Sequence, residues 1–353
     1  MTLEECLRRI RPLEPWAMEE ARRRQGTLTK PPGSLGRLET LSIQLAGIAG
    51  DPRPQIGHKA VIVMAADHGV VVEGVSAYPS EVTAQMLANF ARGGAAINVL
   101  ARAAGARLIA VDVGVNADIP MAPGIRSRKV VRATRNFLHG PAMNRHEALQ
   151  GLEVGIAIVE EEWRAGLDLL ATGDMGIGNT TAASAITAVL CKRQAAEVTG
   201  PGTGLSSPGV VQKVRVIEKA IETLRPDPED PFDVLAKVGG LEIAGIAGSI
   251  LGAAAQRIPV LLDGFICGAA ALIATGLAPG VRPFLIAAHR STEPGHGVIL
   301  AHLGLRPLLE LDLRLGEGTG AVLAMPIVEA AARILTEMAT FEEAGVSNRP
   351  ETE

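Results

Sequence analysis

Aromatic side chains make up only 3% of this 353-residue chain, too few for a platform that stacks single-stranded nucleic acid. The formal net charge of −4 gives no basic footprint for DNA or RNA either. Its three cysteines, Cys6, Cys191 and Cys267, lie far apart and form no CxxC pair, so neither a zinc framework nor a disulfide scaffold is expected. Cys191 and Cys267 sit among Ala, Ile and Leu and read as core residues. There is no GxSxG elbow and no Cys/His nucleophile signature. Histidines never recur as HxH, HxxxH or HExxH, so His68, His289 and His296 read as structural, and no metal or cofactor is expected. Met1 to Arg24 is charged throughout, which excludes a signal peptide there. The longest uncharged run, Gly264 to Val281, is broken by Gly276, Pro279 and Gly280 and reads as a buried core helix, not a membrane span. A soluble, cytoplasmic protein is expected.

What the chain has is apolar content (47%) and 40 glycines, enough for a sizeable core with close helix–sheet packing. Met1 to Gln25 reads as helix split at Pro12 and Pro15, and Ser34 is placed to cap a helix carrying Leu38, Leu41, Leu45 and Ile48. Beyond Lys59 the pattern changes. Five β-branched-rich runs recur, at Val61–Ala66, Leu108–Val111, Leu169–Ala171, Val260–Leu262 and Phe284–Ala288, each ending at a polar residue or a turn. Helical stretches such as Arg145 to Trp163 lie between most of them. Continuous apolar strands alternating with helices predict an α/β fold: a parallel, Rossmann-like sheet with helices on both faces. Ligands bind outside the carboxyl ends of such strands. Val115 to His139, with Arg126, Arg128, Lys129, Arg132 and Arg135, reads as a solvated excursion, and Arg225 to Pro231 as a surface linker. Gly318 to Gly345 reads as one long helix. The expected division is a large catalytic domain over 58–317, a small all-helical domain from 1–57 and 318–345, and a loose tail over 346–353.

Three stretches carry possible chemistry. Thr172 to Thr181 reads as a strand, a glycine turn and a helix start, with Asn179 or Thr180 as cap and Asp174 beside it. It is either a phosphate cradle or an ordinary strand-to-helix turn. Gly200-Pro201-Gly202-Thr203-Gly204, followed by Lys213, is a second possible phosphate clamp. Glu317 stands between Gly316 and Gly318, poorly placed for helix or strand. It suits a general base, more so if burial lifts its pKa from ~4.3 toward ~6–7. It equally suits a cap or ion pair for the next helix. No adjacent acidic pair precedes a Thr/Gly loop, as a diphosphate-activated ribose with Mg²⁺ would require.

Taken in order, Lys30-Pro31-Pro32-Gly33-Ser34-Leu35-Gly36, Ala66-Asp67-His68-Gly69-Val70, Gly74-Val75-Ser76-Ala77-Tyr78-Pro79, Met175 to Thr181, Leu262-Asp263-Gly264-Phe265 and Gly316 to Gly320 resemble the nicotinate-nucleotide–dimethylbenzimidazole phosphoribosyltransferase family. The resemblance implies transfer of the 5-phosphoribosyl group of nicotinate mononucleotide to 5,6-dimethylbenzimidazole with inversion. The products are α-ribazole 5′-phosphate and nicotinate, in cobalamin biosynthesis. It implies Glu317 as catalytic base with Asp174 nearby; the family commonly has Glu where this chain has Asp174, one methylene shorter. Gly176, Ile177, Gly178, Asn179, Thr180, Gly202, Thr203, Gly204 and Lys213 are implied for the phosphate, and Asp263 and Ser291 for the ribose or nicotinate side. Ser76, Tyr78, Pro79, Gln85, Met86, Met175 and Leu315 are implied for the benzimidazole slot. The implied partners are small-molecule substrates and a second copy of the chain, with no nucleic acid and no membrane. The alternatives are an NAD-dependent oxidoreductase or a non-catalytic nucleotide-binding protein on the same fold.

Overall fold

The computed structural model describes residues 1–120 and 122–348; positions 349–353 of the expected tail lie outside them. In chain order the elements are α1 (Leu3–Arg9), α2 (Pro15–Thr27), α3 (Arg37–Ala49), β1 (Lys59–Ala66), α4 (Glu81–Arg92), α5 (Ala96–Ala103), β2 (Arg107–Gly114), β3 (Ile125–Ser127), α6 (Arg145–Arg164), β4 (Leu169–Met175), α7 (Asn179–Leu190), α8 (Ala195–Val198), α9 (Ser207–Leu224), α10 (Pro231–Val238), α11 (Leu241–Ala255), β5 (Val260–Leu262), α12 (Phe265–Leu277), β6 (Leu285–Ala287), α13 (Pro294–Leu303), α14 (Thr319–Glu337) and α15 (Phe341–Ala344).

The strands form one parallel sheet in the order β3-β2-β1-β4-β5-β6. Strand order reverses between β1 and β4, so the loops leaving their carboxyl ends diverge and leave a crevice. These two strands run in register from Lys59 opposite Leu169 to Ala65 opposite Met175. That register sets Asp67 and His68 beside the glycine turn that follows Met175.

The sheet is buried on both faces, which is why its strands are apolar without interruption. In β1, Ala60, Ile62, Met64 and Ala66 join one layer with α6, α7, α11 and α12. Val61, Val63 and Ala65 join the other, with α3, α4, α5 and α14. Each large apolar side chain so buried contributes about 1.5–3 kcal/mol. The crossing of α6 on α11 depends on glycine: a Cβ on Gly155 would overlap the Gly245 carbonyl, and one on Gly248 the Leu152 carbonyl. Ala21, Ala46 and Leu335 bring α2, α3 and α14 together, while Leu41, Leu45, Val322 and Met325 bind α3 and α14 to the sheet.

Four expectations are corrected. A sixth strand, β3, lies inside Val115 to His139 and pairs with β2 from Ala110–Ile125 to Asp112–Ser127. Three residues are too short to show a period. The basic residues there are largely paired: Lys129 with Asp112 (3.1 Å), Arg128 with Glu161 (2.9 Å), Arg135 with Glu147 (2.7 Å), and Arg132 with Asp118. Ser34 does not cap α3; Gly36 precedes it with φ 52°, and the Ser34 amide donates to Pro31. The C-terminal helix stops at Glu337, and Thr340 with Glu343 forms a capping box that starts α15. Gly264 to Val281 holds α12, then a 3-10 turn from Pro279 to Phe284. α14 is long and apolar enough to cross a membrane by length and composition, yet 56% of that window is buried inside the fold.

Candidate active site

β4 ends on Met175, and Gly176-Ile177-Gly178 turns the chain into α7. Gly178 is the N-cap, with φ 95°, a conformation that suits glycine alone. Asn179 and Thr180, expected as caps, are instead the first helical residues, and their side chains work elsewhere. Asn179 Nδ2 donates to Asp174 Oδ2 (2.9 Å), and Thr180 Oγ1 accepts from Lys213 Nζ (2.7 Å). Two amides of the turn are engaged within the protein: Ile177 N–H with Thr83 Oγ1 (3.1 Å) and Asn179 N–H with the Gly176 carbonyl (3.1 Å). Asp174 is buried. Burial, then the Asp263 and Glu242 carboxylates, push its carboxyl well above the usual range, against the pull of the Asn179 amide and with a further push from Glu317.

Gly316, Glu317 and Gly318 take φ of 85°, 62° and 84° in succession. The left-handed conformation at a glutamate costs on the order of 1–3 kcal/mol, so the surroundings must hold it. They do: Glu317 N–H donates to the Asp174 carbonyl (3.2 Å) and Thr319 N–H to the Gly316 carbonyl (3.1 Å). Gly173 packs against this loop, and a Cβ there would lie 2.8 Å from the Glu317 carbonyl oxygen. Glu317 does not cap α14. That role falls to Asp263, whose Oδ2 accepts from Gly318 N–H (3.1 Å) and Oδ1 from Ala321 N–H (3.0 Å), with His289 Nε2 3.4 Å from Oδ1. The buried Glu317 carboxyl is pushed up to about 6 by burial; the Ile97 backbone N–H at the start of α5 opposes the shift and Asp263 adds to it. Its Oε2 has no hydrogen-bond partner among the described residues.

Opposite the turn lies the loop Gly200 to Gly204. Lys213, fully buried on α9, donates to Thr180 Oγ1 and weakly to the Gly200 carbonyl (3.4 Å). Burial lowers its pKa to about 8, with Glu293 holding it up. The Gly202 N–H donates to Glu293 Oε1 (3.0 Å), and Arg314 Nη1 donates to the Gly202 carbonyl (3.3 Å).

One cavity at the carboxyl end of the sheet collects Asp174, Met175, Gly176, Ile177, Asn179, Thr180, Gly202, Thr203, Ser291 and Leu315 from the expected set. Gly178, Gly204, Lys213, Asp263 and Glu317 are not on its wall. Lys213 stands behind Thr180, bonded to its hydroxyl, and Asp263 serves the α14 terminus. Ser76 reaches the cavity loop, its hydroxyl 3.4 Å from that of Thr203, to which Ala77 N–H also donates (3.3 Å). Tyr78, Pro79 and Gln85 are exposed and Met86 is half-buried; none of these lines the cavity. They lie on the loop after Gly74 and on α4, the helix whose Thr83 holds Ile177.

Glu293 and Arg314, not among the expected residues, line the cavity, and so does His289, which the sequence favours as a structural histidine over a metal ligand. Arg314 lies two residues before Gly316 and was within reach of the motif. Glu293 carries no local signal beyond Pro294 after it. His68 is held by Glu242 (2.6 Å); burial opposes its charge, but the carboxylate prevails and raises its pKa. His296 Nδ1 accepts from the Ser291 amide (2.9 Å), and burial, then His289 and Arg290, lower it to about 3. Cys267 is a core residue as expected, but its thiol lies 3.9 Å from Asp174 Oδ1.

A family profile described as phosphoribosyltransferase matches residues 10–346. A nicotinate-nucleotide–dimethylbenzimidazole phosphoribosyltransferase from Chloroflexus aurantiacus (strain ATCC 29366 / DSM 635 / J-10-fl) is 58% identical over 98% of this chain and 99% of its own. One from Roseiflexus sp. (strain RS-1) is 59% identical over 99% of each. The crystal structure of CobT from Thermus thermophilus superposes with a TM-score of 0.92 at 51% identity, covering 95% of this chain and 100% of that one.

Proposed function

The chain belongs to the nicotinate-nucleotide–dimethylbenzimidazole phosphoribosyltransferase family, and from that premise we propose how its cavity carries out the reaction. The enzyme moves the 5-phosphoribosyl group of nicotinate mononucleotide onto 5,6-dimethylbenzimidazole, giving α-ribazole 5′-phosphate and nicotinate. The pyridinium leaves as a neutral ring, so its departure needs no proton. The acceptor's unprotonated ring nitrogen attacks from the opposite face, which inverts the anomeric carbon, and the proton on its other ring nitrogen passes to Glu317. A carboxyl with a pKa near 6 and one unpartnered oxygen is suited to that transfer. General-base catalysis supplies about 10²–10⁴-fold; holding both rings and the ribose in line supplies more, about 7–11 kcal/mol.

The observation that carries this reading is the Glu317–Asp174 backbone bond, which docks the glutamate loop onto the end of β4, where Asp174 lines the cavity. On the same reading, the Gly176–Thr180 turn and the Gly202 loop face the 5′-phosphate, with Lys213 supporting them from behind. Met175 and Leu315 offer apolar surface to the acceptor, continued by Ser76, Tyr78, Pro79, Gln85 and Met86. Residues 58–317 carry the chemistry, while 1–57 with 318–345 form the smaller helical part. We read the protein as a cytoplasmic homodimer that binds neither nucleic acid nor membrane. The glycine turn follows β4 and not the first strand, which gives an NAD-dependent oxidoreductase no fingerprint to use.

The direct test incubates the pure protein with both substrates and resolves nicotinate and α-ribazole 5′-phosphate chromatographically. Equimolar release of the two is expected; substrates recovered intact would rule the reading out.

A further inference from the structure

Glu293 stands immediately before α13, where a side chain ordinarily caps the helix, yet it makes no cap bond. Its own amide donates to Ser291 Oγ (3.3 Å), and its carboxylate crosses to the glycine loop to accept from Gly202 N–H (3.0 Å). The residue is 5% exposed, lines the cavity, and its Oε2 has no hydrogen-bond partner among the described residues. The loop is built around it: a Cβ on Gly200 would overlap Oε2. The cations in the same network are Lys213, bonded to Thr180 and Gly200, and Arg314 on the Gly202 carbonyl.

A buried carboxylate with an unsatisfied oxygen is costly. It is doubly so on the wall of a cavity meant for an anion, because like charges repel strongly where water is scarce. Both costs are explained if the carboxylate stands in for that anion. Resting on the reading that this loop takes the 5′-phosphate, we propose that Glu293 is an internal anion. It occupies the Gly202 amide in the free protein and yields it to the substrate's phosphate. Phosphorylated ligands then bind only by displacing a competitor, so each pays the cost of the Glu293–Gly202 bond when it takes the amide. Glu293 thus sets the affinity of the phosphate end, away from the bond being exchanged.

Ribose 5-phosphate, which has the phosphate but no base, is the probe. Its dissociation constant is measured calorimetrically on the full chain and on Glu293→Gln and Glu293→Asp, with thermal unfolding as a check on folding. Gln keeps the size but loses the charge. Asp keeps the charge but is a methylene too short to reach Gly202. Both variants are expected to bind about five- to tenfold more tightly, since a charge-assisted bond no longer competes. Tighter binding by Gln alone would mean fixed repulsion without displacement and would overturn the proposal, as would no gain in either. If the unaltered protein binds no ribose 5-phosphate, the phosphate reading of the loop falls as well. Should the variants unfold, a structure of the unaltered protein with ribose 5-phosphate decides. Glu293 Oε1 must then have left the Gly202 amide; a retained bond would contradict displacement.

Discussion

The Glu317 amide donates to the carbonyl of Asp174 across 3.2 Å, joining the loop before α14 to the end of β4. The link is backbone to backbone, so it does not depend on either carboxyl. It sets the glutamate at the β1/β4 switch point, and it brings two acids close enough for Glu317 to add to the upward push on Asp174.

The pH profile of kcat/KM should be bell-shaped. Glu317 is active as the carboxylate, so activity rises as pH passes about 6. Lys213 supports the phosphate end as the ammonium, so activity falls as pH passes about 8. Lys213→Arg, whose charge does not titrate in this range, should remove the alkaline limb. A wild-type profile flat through pH 6 would take the base role from Glu317.

Two aspartates of one buried cluster should respond to amidation with opposite signs. The native pKa of Asp174 lies above its unfolded value, so the folded state keeps this proton longer. Its contribution is full below the ordinary carboxylate range and is lost as pH rises through the native value. Asp174→Asn should therefore raise the unfolding free energy at neutral pH. Asp263→Asn turns one capping acceptor into a donor facing a donor, at Gly318 or Ala321, and should cost about 1–3 kcal/mol. Unfolding curves in denaturant at neutral pH read both, and a stabilised Asp263→Asn would contradict the capping role.

Gly173→Ala should slow transfer without touching a substrate. Its Cβ would meet backbone atoms, the Glu317 carbonyl oxygen at 2.8 Å and the Gly318 nitrogen at 2.9 Å, which cannot swing aside. The glutamate loop must shift, at a cost of about 1–3 kcal/mol in stability. Gly26→Ala, in α2 with open space around it, is the control and should be neutral or slightly stabilising. Equal stability and rate in both would mean the loop is not held where the structure has it.

Much of this architecture was legible because parallel strands buried on both faces announce themselves as apolar runs ending at polar turns. Val61–Ala66 and Leu169–Ala171 are such runs. β3 escaped because three residues carry one buried side chain and no period. Glu317 between glycines was visible as an oddity, and its φ of 62° is the physical content of that oddity. That it does not cap α14 was not readable, since that role falls to Asp263, which follows β5. Glu293 was invisible for the same reason: its partner, Gly202, is distant in sequence and has no side chain to suggest one. Caps at Ser34, Asn179 and Thr180 were misjudged because glycine took each cap position.

Glu317→Gln, assayed for single-turnover transfer beside a titration of nicotinate mononucleotide, tests the assignment most directly. Transfer should fall by about 10²–10⁴-fold. Donor affinity should stay within about threefold of the unaltered protein, because the amide preserves shape and the backbone bond to Asp174. Transfer at a near-normal rate would show that the acceptor's proton leaves by another route.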